Sequence, residues 1–300
     1  MTGLEGANAA ARILLDAGFL PDDARRDAAV LARHSLGWSL TDWATRNREA
    51  MPDGFAERLL ISARRRATRE PVAYITGVRE FYGRDFRVTS AVLIPRPETE
   101  GLVEETLRVL SRPDGPDGPS GPDGPSGPDG PVILDVGTGS GCVAITLALE
   151  YPRARVIATD VSAAALEVAR ENARALGANR VEFMEASLVP AGVSDVDIIV
   201  SNPPYVPQRH RASLPADVRE YEPALALFGG EHGQDVIAGV IAAARRALRP
   251  GGWLIMEIGD GQVDVVTHAV RDAGLHLECV QADLQDISRV IVARQPASAS

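Results

Sequence analysis

Apolar residues recur at helical spacing through the first 75 or so residues, a stretch rich in Ala, Leu and Arg. The spacing is followed by Ala11, Leu14 and Leu15, and further along by Ala28, Val30 and Leu31. Pro21 precedes two acidic residues, which is typical of a helix start because Pro suits the first turn and acids favour the positive end of the helix dipole. These patterns predict a small helical bundle.

The pattern changes twice in the next stretch of the chain. From Phe81 to Ile94, aromatic and β-branched residues interrupted by Gly83 predict a short β-hairpin, and a helix is expected to follow through Leu110. The segment from Asp114 to Pro131 then repeats Gly-Pro-Asp or Gly-Pro-Ser with a period of three. Since Pro is missing from the third position of the triplets, we expect a solvated, partly extended linker rather than a collagen-like triple helix.

After this linker, short apolar runs alternate with amphipathic helical patterns. Strands are predicted at Val132–Val136, Arg155–Thr159, Val181–Met184, Val196–Val200 and Trp253–Ile258, with helices from Gly141, from Ser162 to Leu176 and from Val236 to Leu248. Two further strands are expected between Leu275 and Val292. Continuous apolar strands are typical of a parallel sheet covered on both faces. The chain is therefore predicted to form a doubly wound α/β sheet of seven strands.

Composition and charge exclude several classes of protein. Acidic residues outnumber basic ones by 41 to 31, so the net charge of −10 disfavours nonspecific nucleic-acid binding. Every basic residue is Arg, and the absence of Lys excludes a Walker-type phosphate loop, a Schiff base and a pyridoxal-phosphate anchor. Cys142 and Cys279 lie outside any Cys-x-x-Cys spacing, and the histidines show no paired spacing, so we expect no metal site. With no export signal and no membrane span in the sequence, we expect a cytoplasmic protein.

The first candidate for chemistry is a glycine-rich turn after the first strand of the sheet. Ligands of doubly wound sheets bind beyond the carboxyl ends of the strands, and closely spaced glycines let the backbone approach them. The spacing is Gly-x-Gly-x-Gly, which differs from the Gly-x-Gly-x-x-Gly of a dinucleotide fold and still indicates a nucleotide-like ligand. The candidate binding residues of this turn are Asp135, Gly137, Thr138, Gly139, Ser140 and Gly141.

The second candidate is Asp160, which follows the second strand of the sheet. A carboxylate at this place can accept hydrogen bonds from both hydroxyl groups of a ribose. An isolated Asp could equally cap the helix that begins near Ser162. The glycine-rich turn upstream favours the ribose-binding interpretation.

The third candidate is the turn Ser201-Asn202-Pro203-Pro204-Tyr205, directly after an apolar strand. Its two prolines supply no amide donors, so the Asn202 side-chain oxygen and the Pro203 carbonyl are expected to project as acceptors from a stiff turn. Tyr205 offers a flat face on which a planar amide or a base could stack. The turn predicts a substrate with an NH₂ group, bound by Asn202, Pro203, Pro204 and Tyr205.

Together the three turns resemble those of the seven-stranded, S-adenosylmethionine-dependent methyltransferases, and Asn-Pro-Pro-Tyr is typical of the branch that methylates planar nitrogen. Further segments are similar to the peptide chain release factor glutamine methyltransferases, and the similarity covers nearly the whole chain. These segments are Glu70–Gly77, Glu80–Phe81, Leu93–Glu100, Glu220–Leu225 and Asp283–Arg289.

The resemblance implies a Rossmann-like methyltransferase sheet and a domain organisation to go with it. Residues 1–75 would form a helical domain that binds the release factor, and residues 76–111 a hairpin and connecting helix. The Gly/Pro-rich linker at 112–131 looks like an insertion relative to the family. Residues 132–300 would form the methyltransferase domain.

The resemblance also implies S-adenosylmethionine as the cofactor, with Leu188 and Asn202 among the residues that bind it. Asn202, Pro203 and Tyr205 would be catalytic. Ser187 departs from the family, because relatives often carry an acid there, and Glu185 or Leu188 could take over its contact with the adenine amine.

The reaction implied is methyl transfer to the side-chain amide nitrogen of the glutamine in the Gly-Gly-Gln loop of release factors. A ribosomal-protein glutamine methyltransferase is the nearest alternative. An adenine-amine DNA methyltransferase presents the same NH₂ geometry, but it requires a basic groove that this acidic chain lacks. A nicotinamide-dependent oxidoreductase is disfavoured by the glycine spacing, and a noncatalytic nucleotide-binding module would leave Asn202 and Tyr205 unexplained.

Overall fold

The computed structural model describes residues 1–116 and 130–297, so most of the predicted linker at 112–131 lies outside the described residues. The chain divides into two compact units. The first contains Met1–Val78 together with Pro215–Tyr221, and the second contains the rest of the described chain. The first unit therefore draws on two separate parts of the sequence.

The first unit is helical, as the sequence predicts. It contains α1 (Gly3–Asp16), α2 (Pro21–Leu36), α3 (Leu40–Arg46), α4 (Phe55–Ala67) and α5 (Val72–Thr76). Leu31 of α2 and Leu59 of α4 are buried in one apolar cluster. Gly6 lets α1 approach α4 closely, because a Cβ atom there would lie 2.6 Å from Cε1 of Phe55.

A two-stranded hairpin follows, formed by β1 (Val78–Phe81) and β2 (Arg84–Arg87). The predicted hairpin at Phe81–Ile94 is therefore placed too far along the chain. Tyr82 and Gly83 both have positive φ, 52° and 73°, and such a two-residue turn sets the strands symmetrically on either side of it. The second strand ends at Arg87 because the backbone N–H and C=O of that residue bond to the Asn172 side chain.

The remaining elements are helices and strands of the second unit together with α9 (Ala216–Tyr221) of the first. A short 3₁₀ turn (Pro97–Thr99) leads into α6 (Glu100–Leu110). Then come β3 (Val132–Val136), α7 (Cys142–Glu150), β4 (Arg155–Asp160), α8 (Ala163–Leu176), β5 (Glu182–Glu185), β6 (Val196–Ser201), α9 (Ala216–Tyr221), α10 (Ala224–Leu227), α11 (Asp235–Ala247), β7 (Leu248–Glu257), α12 (Val263–Asp272), β8 (His276–Ala282) and β9 (Ser288–Arg294). No helix within the described ranges combines the length and apolar character needed to cross a bilayer.

The seven-stranded sheet confirms the predicted α/β class. Its strand order is β5-β4-β3-β6-β7-β9-β8, parallel except for β9, which runs antiparallel to both of its neighbours. Alternate residues enter different cores: Ile133 and Ile198 pack with α6 and α7 on one face. Leu134 and Ile199 pack with α11 on the other face. The strand order reverses between β3 and β6, which is where a doubly wound sheet opens a crevice for ligands.

Candidate active site

A cavity of about 370 Å³ lies at the carboxyl ends of β3, β4 and β6. This volume is within the range of small-molecule sites, roughly 300–1,000 Å³. Most of the residues that the sequence singled out line its wall: Asp135, Gly137, Thr138, Gly139, Ser140, Asp160, Leu188, Asn202, Pro203 and Pro204. Gly141 and Tyr205 are not among the described residues that line the wall. In the described chain, no group of three His, Cys, Asp or Glu side chains could hold a metal ion.

The three glycines of the turn after β3 have different surroundings. Gly137, Gly139 and Gly141 all have positive φ, at 76°, 54° and 82°. A Cβ atom on Gly137 or Gly139 would meet no protein atom within 4 Å. On Gly141 it would lie 2.8 Å from Cδ1 of Ile145 and 3.1 Å from Cβ of Ala169. The first two glycines leave open space beside the cavity, whereas Gly141 allows α7 and α8 to pack.

The side chain of Asp160 holds this turn in place. Its Oδ2 accepts a hydrogen bond of 2.9 Å from the Gly139 N–H, and its Oδ1 accepts one of 2.9 Å from the Ser162 N–H. Ser162, and not Asp160, is the N-cap of α8, because its hydroxyl accepts from the Ala165 N–H. Each carboxylate oxygen keeps a second lone pair. A ribose-binding role for Asp160 is compatible with this geometry and remains a prediction.

Asp135 is a buried carboxyl group on the cavity wall, with only 2% of its surface exposed. Burial raises the pKa of Asp135 to about 7, although the hydrogen bond from the Thr138 hydroxyl, 2.7 Å long, acts in the opposite direction. The group therefore changes its charge near neutral pH.

The turn after β6 presents two free acceptors at the cavity. Ser201 ends the strand and donates a hydrogen bond of 2.7 Å from its hydroxyl to the Val136 carbonyl, which ties β6 to β3. The Asn202 Nδ2 donates to the Thr99 Oγ1 over 3.0 Å. Within residues 1–116 and 130–297, neither the Asn202 Oδ1 nor the Pro203 carbonyl accepts a hydrogen bond. Both oxygens are available to a ligand.

Tyr205 is directed toward the core. Its hydroxyl donates to the Glu257 Oε1 over 3.2 Å, and its ring packs on Gly259, where a Cβ atom would lie 3.0 Å from the Tyr205 Cδ2. Burial, with the nearby Glu257 charge, raises the pKa of Tyr205. Stacking of Tyr205 on a substrate remains a prediction.

Sequence reasoning missed two residues beside the turn after β6, Thr99 and Glu257. Thr99 lies inside the Leu93–Glu100 segment that carried the family resemblance, without any role assigned to it. Glu257 ends β7 and is only 1% exposed. A lone carboxylate in the apolar run Trp253–Ile258 was the available signal, since buried charges need partners. Leu188 and Ser187 line the cavity, whereas Glu185 is not among the described residues of its wall.

Comparison with known proteins shows which class of protein this fold belongs to. A family model described as methyltransferase small domain matches residues 127–216, and one described as PrmC N-terminal domain matches residues 7–77. Two solved structures share the fold. One is the hMettl16 catalytic domain in complex with MAT2A 3′UTR hairpin 6, at 13% identity and a TM-score of 0.56 over 81% of this chain and 83% of that one. The other is a methyltransferase from Pyrococcus furiosus, at 17% identity and a TM-score of 0.50 over 72% and 91%. The protein is a methyltransferase.

Curated relatives define the family more closely. A release factor glutamine methyltransferase from Cereibacter sphaeroides is 40% identical over 99% of this chain and 100% of the relative. Another of the same name, from Koribacter versatilis, is 44% identical over 78% of each chain. The chain belongs to the release factor glutamine methyltransferase family, which confirms the resemblance seen in the sequence.

Replacing Gly139 by Ala should weaken ligand binding beyond any effect on stability. Gly177→Ala is the matched control, because Gly177 also has positive φ, 78°, and open space around its Cβ position, but lies away from the cavity. Each variant should lose about 1 kcal/mol of stability through backbone strain. Only Gly139→Ala should raise the Kd for S-adenosylmethionine, the cofactor predicted from the sequence, by about tenfold or more in calorimetric titration. Equal affinities in the two variants would contradict the assignment of this turn.

Asp135→Asn should become relatively more stable as the pH rises. The folded-state pKa of Asp135 is raised from 3.8 to about 7, so the folded chain keeps a proton that the unfolded chain releases, and stability is lost as pH rises toward 7. Asn cannot ionise and escapes this loss. The free energy of unfolding of the variant relative to the parent should gain about 1–2 kcal/mol between pH 6 and pH 8. Melting temperatures at both pH values test this, and a difference independent of pH contradicts it.

Proposed function

We propose that this methyltransferase transfers a methyl group from S-adenosylmethionine to the side-chain amide nitrogen of the glutamine in the Gly-Gly-Gln motif of peptide chain release factors. The observation that carries the proposal is the pair of free acceptor oxygens, Asn202 Oδ1 and Pro203 O, on consecutive residues of one turn at the cavity wall. A primary amide has two N–H groups to offer them. The relatives are named release factor glutamine methyltransferases, which supports a release factor glutamine as the substrate.

The cavity suits the cofactor. Gly137 and Gly139 leave space that any side chain would fill, and Asp160 holds the Gly139 N–H in place beside it. We assign cofactor binding to Asp135, Gly137, Thr138, Gly139, Ser140, Asp160, Leu188 and Asn202. Gly141 would contribute indirectly, because its lack of a side chain lets α7 and α8 pack beneath the turn. When bound, S-adenosylmethionine supplies a methyl group activated by its positively charged sulfonium.

The catalytic turn compensates for a weak nucleophile. An amide nitrogen is weak because its lone pair is delocalised into the carbonyl group. Asn202 Oδ1 and Pro203 O would accept the two N–H groups, hold the nitrogen toward the methyl donor and stabilise the positive charge that develops on it. No general base is required before the methyl group moves: the C–S electron pair would stay on the sulfur as a neutral thioether, and the methylated nitrogen would then release one of its two protons to water. Positioning is then the main source of rate, and well-oriented reactants can gain about 7–11 kcal/mol in this way.

The same two acceptors would exclude a glutamate side chain. Its carboxylate offers no N–H group, so both acceptor oxygens would stay unpaired and face a negative charge. Each unpaired group costs about 1–3 kcal/mol before the repulsion is counted.

We also propose that the helices of the first unit, over residues 1–75, bind the release factor, and that the protein acts in the cytoplasm. The match of residues 7–77 to the PrmC N-terminal domain supports a family-specific role for this part of the chain. Residues 132–300 would then carry the methyl transfer itself.

Transfer of a labelled methyl group to a release factor tests the proposed function. The expected result is one methyl group per release factor, and none on a Gly-Gly-Gln→Gly-Gly-Ala variant or on duplex DNA. A ribosomal protein carrying an exposed glutamine loop is the fourth arm. Preferential labelling of the ribosomal protein or of DNA would overturn the proposal in favour of that substrate.

Asn202→Ala should abolish methyl transfer, with a loss of at least about 100-fold, since a single preorganised hydrogen bond to a reacting group is worth about 10²–10³ in rate. Its Kd for S-adenosylmethionine should rise by no more than about tenfold, because Asn202 is one of eight residues assigned to the cofactor and a single hydrogen bond is worth about 0.5–1.5 kcal/mol. The exposed Asn179 provides the control variant Asn179→Ala, which should retain full activity. An active Asn202→Ala protein would remove Asn202 from the mechanism.

A further inference from the structure

A continuous chain of hydrogen bonds runs from the catalytic turn to a buried carboxylate. The Asn202 Nδ2 donates to the Thr99 Oγ1 over 3.0 Å, and the Thr99 Oγ1 donates to the Glu257 Oε2 over 2.7 Å. The Tyr205 hydroxyl donates to the other oxygen of Glu257 over 3.2 Å. Thr99 is 4% exposed and Glu257 1% exposed, so water cannot substitute freely for these partners.

The donor-to-acceptor direction of these hydrogen bonds follows from Glu257, the carboxylate at the end of the series. Above the pKa of Glu257, which burial raises to about 7, the ionised carboxylate only accepts hydrogen bonds, so Thr99 must donate its single hydroxyl hydrogen to Glu257. The Thr99 oxygen can then only accept from Asn202. Asn202 must therefore offer its NH₂ group to Thr99, which leaves its oxygen as the free atom of the carboxamide.

On the basis of the proposed function, we propose that Thr99 and Glu257 are positioning residues that fix the polarity of the Asn202 carboxamide, so that the site presents an acceptor to the substrate amide. A carboxamide rotated by half a turn would direct its own NH₂ group at the substrate N–H groups. Two donors would then face each other, and the buried groups would be left unpaired. We call the hydrogen-bonded series Asn202–Thr99–Glu257 the relay. Thr99 and Glu257 select for a substrate NH₂ group without contacting it, because they act through Asn202.

Rigid elements hold both Thr99 and Glu257 in place. Thr99 ends the 3₁₀ turn, and its N–H bonds to the Arg96 carbonyl over 3.1 Å. Glu222 clamps the segment before this turn, because it accepts from the Ile94 N–H over 3.1 Å and pairs with the Arg96 guanidinium.

Glu257 is equally well anchored and lies within the sheet. It is paired with Val290 of β9, and the preceding Met256 is paired with Ser201, the last residue of β6. The two ends of the relay are therefore attached to neighbouring strands. Small shifts of Asn202 relative to Glu257 are opposed by the hydrogen-bonded ladder itself.

The carboxylate is costly to bury, and the relay supplies its partners. Burial raises the pKa of Glu257 to about 7, and the hydrogen bonds from Thr99 and Tyr205 lower it again in part. A buried charged group costs free energy unless it is hydrogen-bonded. Loss of the Thr99 hydroxyl would therefore remove a partner from both Asn202 and Glu257.

Thr99→Val tests the relay, because it removes the hydroxyl and keeps the shape of the side chain. The single-turnover rate of methyl transfer to a release factor should fall by about 10- to 100-fold, as a misplaced reactant costs up to about 10² in rate. The KM for the release factor and the Kd for S-adenosylhomocysteine should stay within about threefold of the parent. Thr99→Ser restores the hydroxyl and should act within about threefold of the parent.

Thr106→Val is the matched control, since Thr106 is a fully buried threonine on the helix that follows the 3₁₀ turn, and among the described residues its hydroxyl donates to the Leu102 carbonyl alone. It should leave the rate unchanged. A Thr99→Val rate equal to that of the parent, or a Thr99→Ser rate as low as that of Thr99→Val, would overturn the proposal.

Glu257→Gln tests whether Glu257 acts through Thr99. Gln can donate as well as accept, so the relay would no longer run in one direction, and the rate should fall by about tenfold. Because neighbours in one network are not additive, the double variant with Thr99→Val should be no more than about threefold slower than Thr99→Val alone. Effects that multiply in the double variant would show that Glu257 acts independently of Thr99 and would overturn the relay.

A measurement without substrate separates this inference from the proposed function. With asparagine-selective ¹⁵N labelling of the full chain, the side-chain amide protons of Asn202, identified by their loss in Asn202→Asp, should exchange with water at least tenfold faster in Thr99→Val than in Thr99→Ser. Equal exchange would overturn the relay. A parent enzyme that methylates no release factor, together with the expected exchange, would overturn the proposed function and leave the relay standing.

Discussion

Parallel pairing of β3, β4, β6 and β7 is the constraint on which the site depends. Parallel strands end at the same edge of a sheet, so residues that are far apart in sequence arrive together. The glycine turn, Asp160, Asn202 and Glu257 each follow or end one of these strands. The Ser201 hydroxyl donates a hydrogen bond to the Val136 carbonyl across two of them, which fixes the turn after β6 relative to the glycine turn after β3.

The edge of the sheet also concentrates buried carboxyl groups. Asp135 and Glu257 both have a pKa raised to about 7 by burial, and each receives hydrogen bonds from neighbouring hydroxyl groups. The oxygens of Asn202 and Pro203, by contrast, accept no hydrogen bond from the described residues. The acceptors are free because the Asn202 NH₂ group is already engaged by Thr99 and because prolines offer no N–H groups to their neighbours.

A short segment between β6 and α10 belongs to the first unit. Pro215–Tyr221 groups with the N-terminal helices, and the Tyr221 hydroxyl donates to the Thr68 carbonyl over 2.7 Å. In the same unit, Arg66 pairs with Asp27 over 2.8 Å, both side chains being nearly buried. The chain thus leaves the sheet after β6, contributes α9 to the helical unit and returns to form α10 and α11.

The sequence by itself determined the order of strands and helices, the helical N-terminal unit and the residues after β3, β4 and β6, because hydrophobic periodicity and turn chemistry are local properties. It also identified the family, through segments that cover nearly the whole chain. It misplaced the hairpin, because β2 ends where the distant Asn172 takes over the hydrogen bonds of Arg87. Only the tertiary structure revealed the side-chain hydrogen bonds of Thr99, Glu257 and Tyr205. It also showed that the Asp160 carboxylate accepts hydrogen bonds from the backbone N–H groups of both Gly139 and Ser162. The side-chain hydrogen bonds of Thr99, Glu257 and Tyr205 join residues separated by 52 to 158 positions in the chain, and no local pattern encodes which hydroxyl meets which carboxylate.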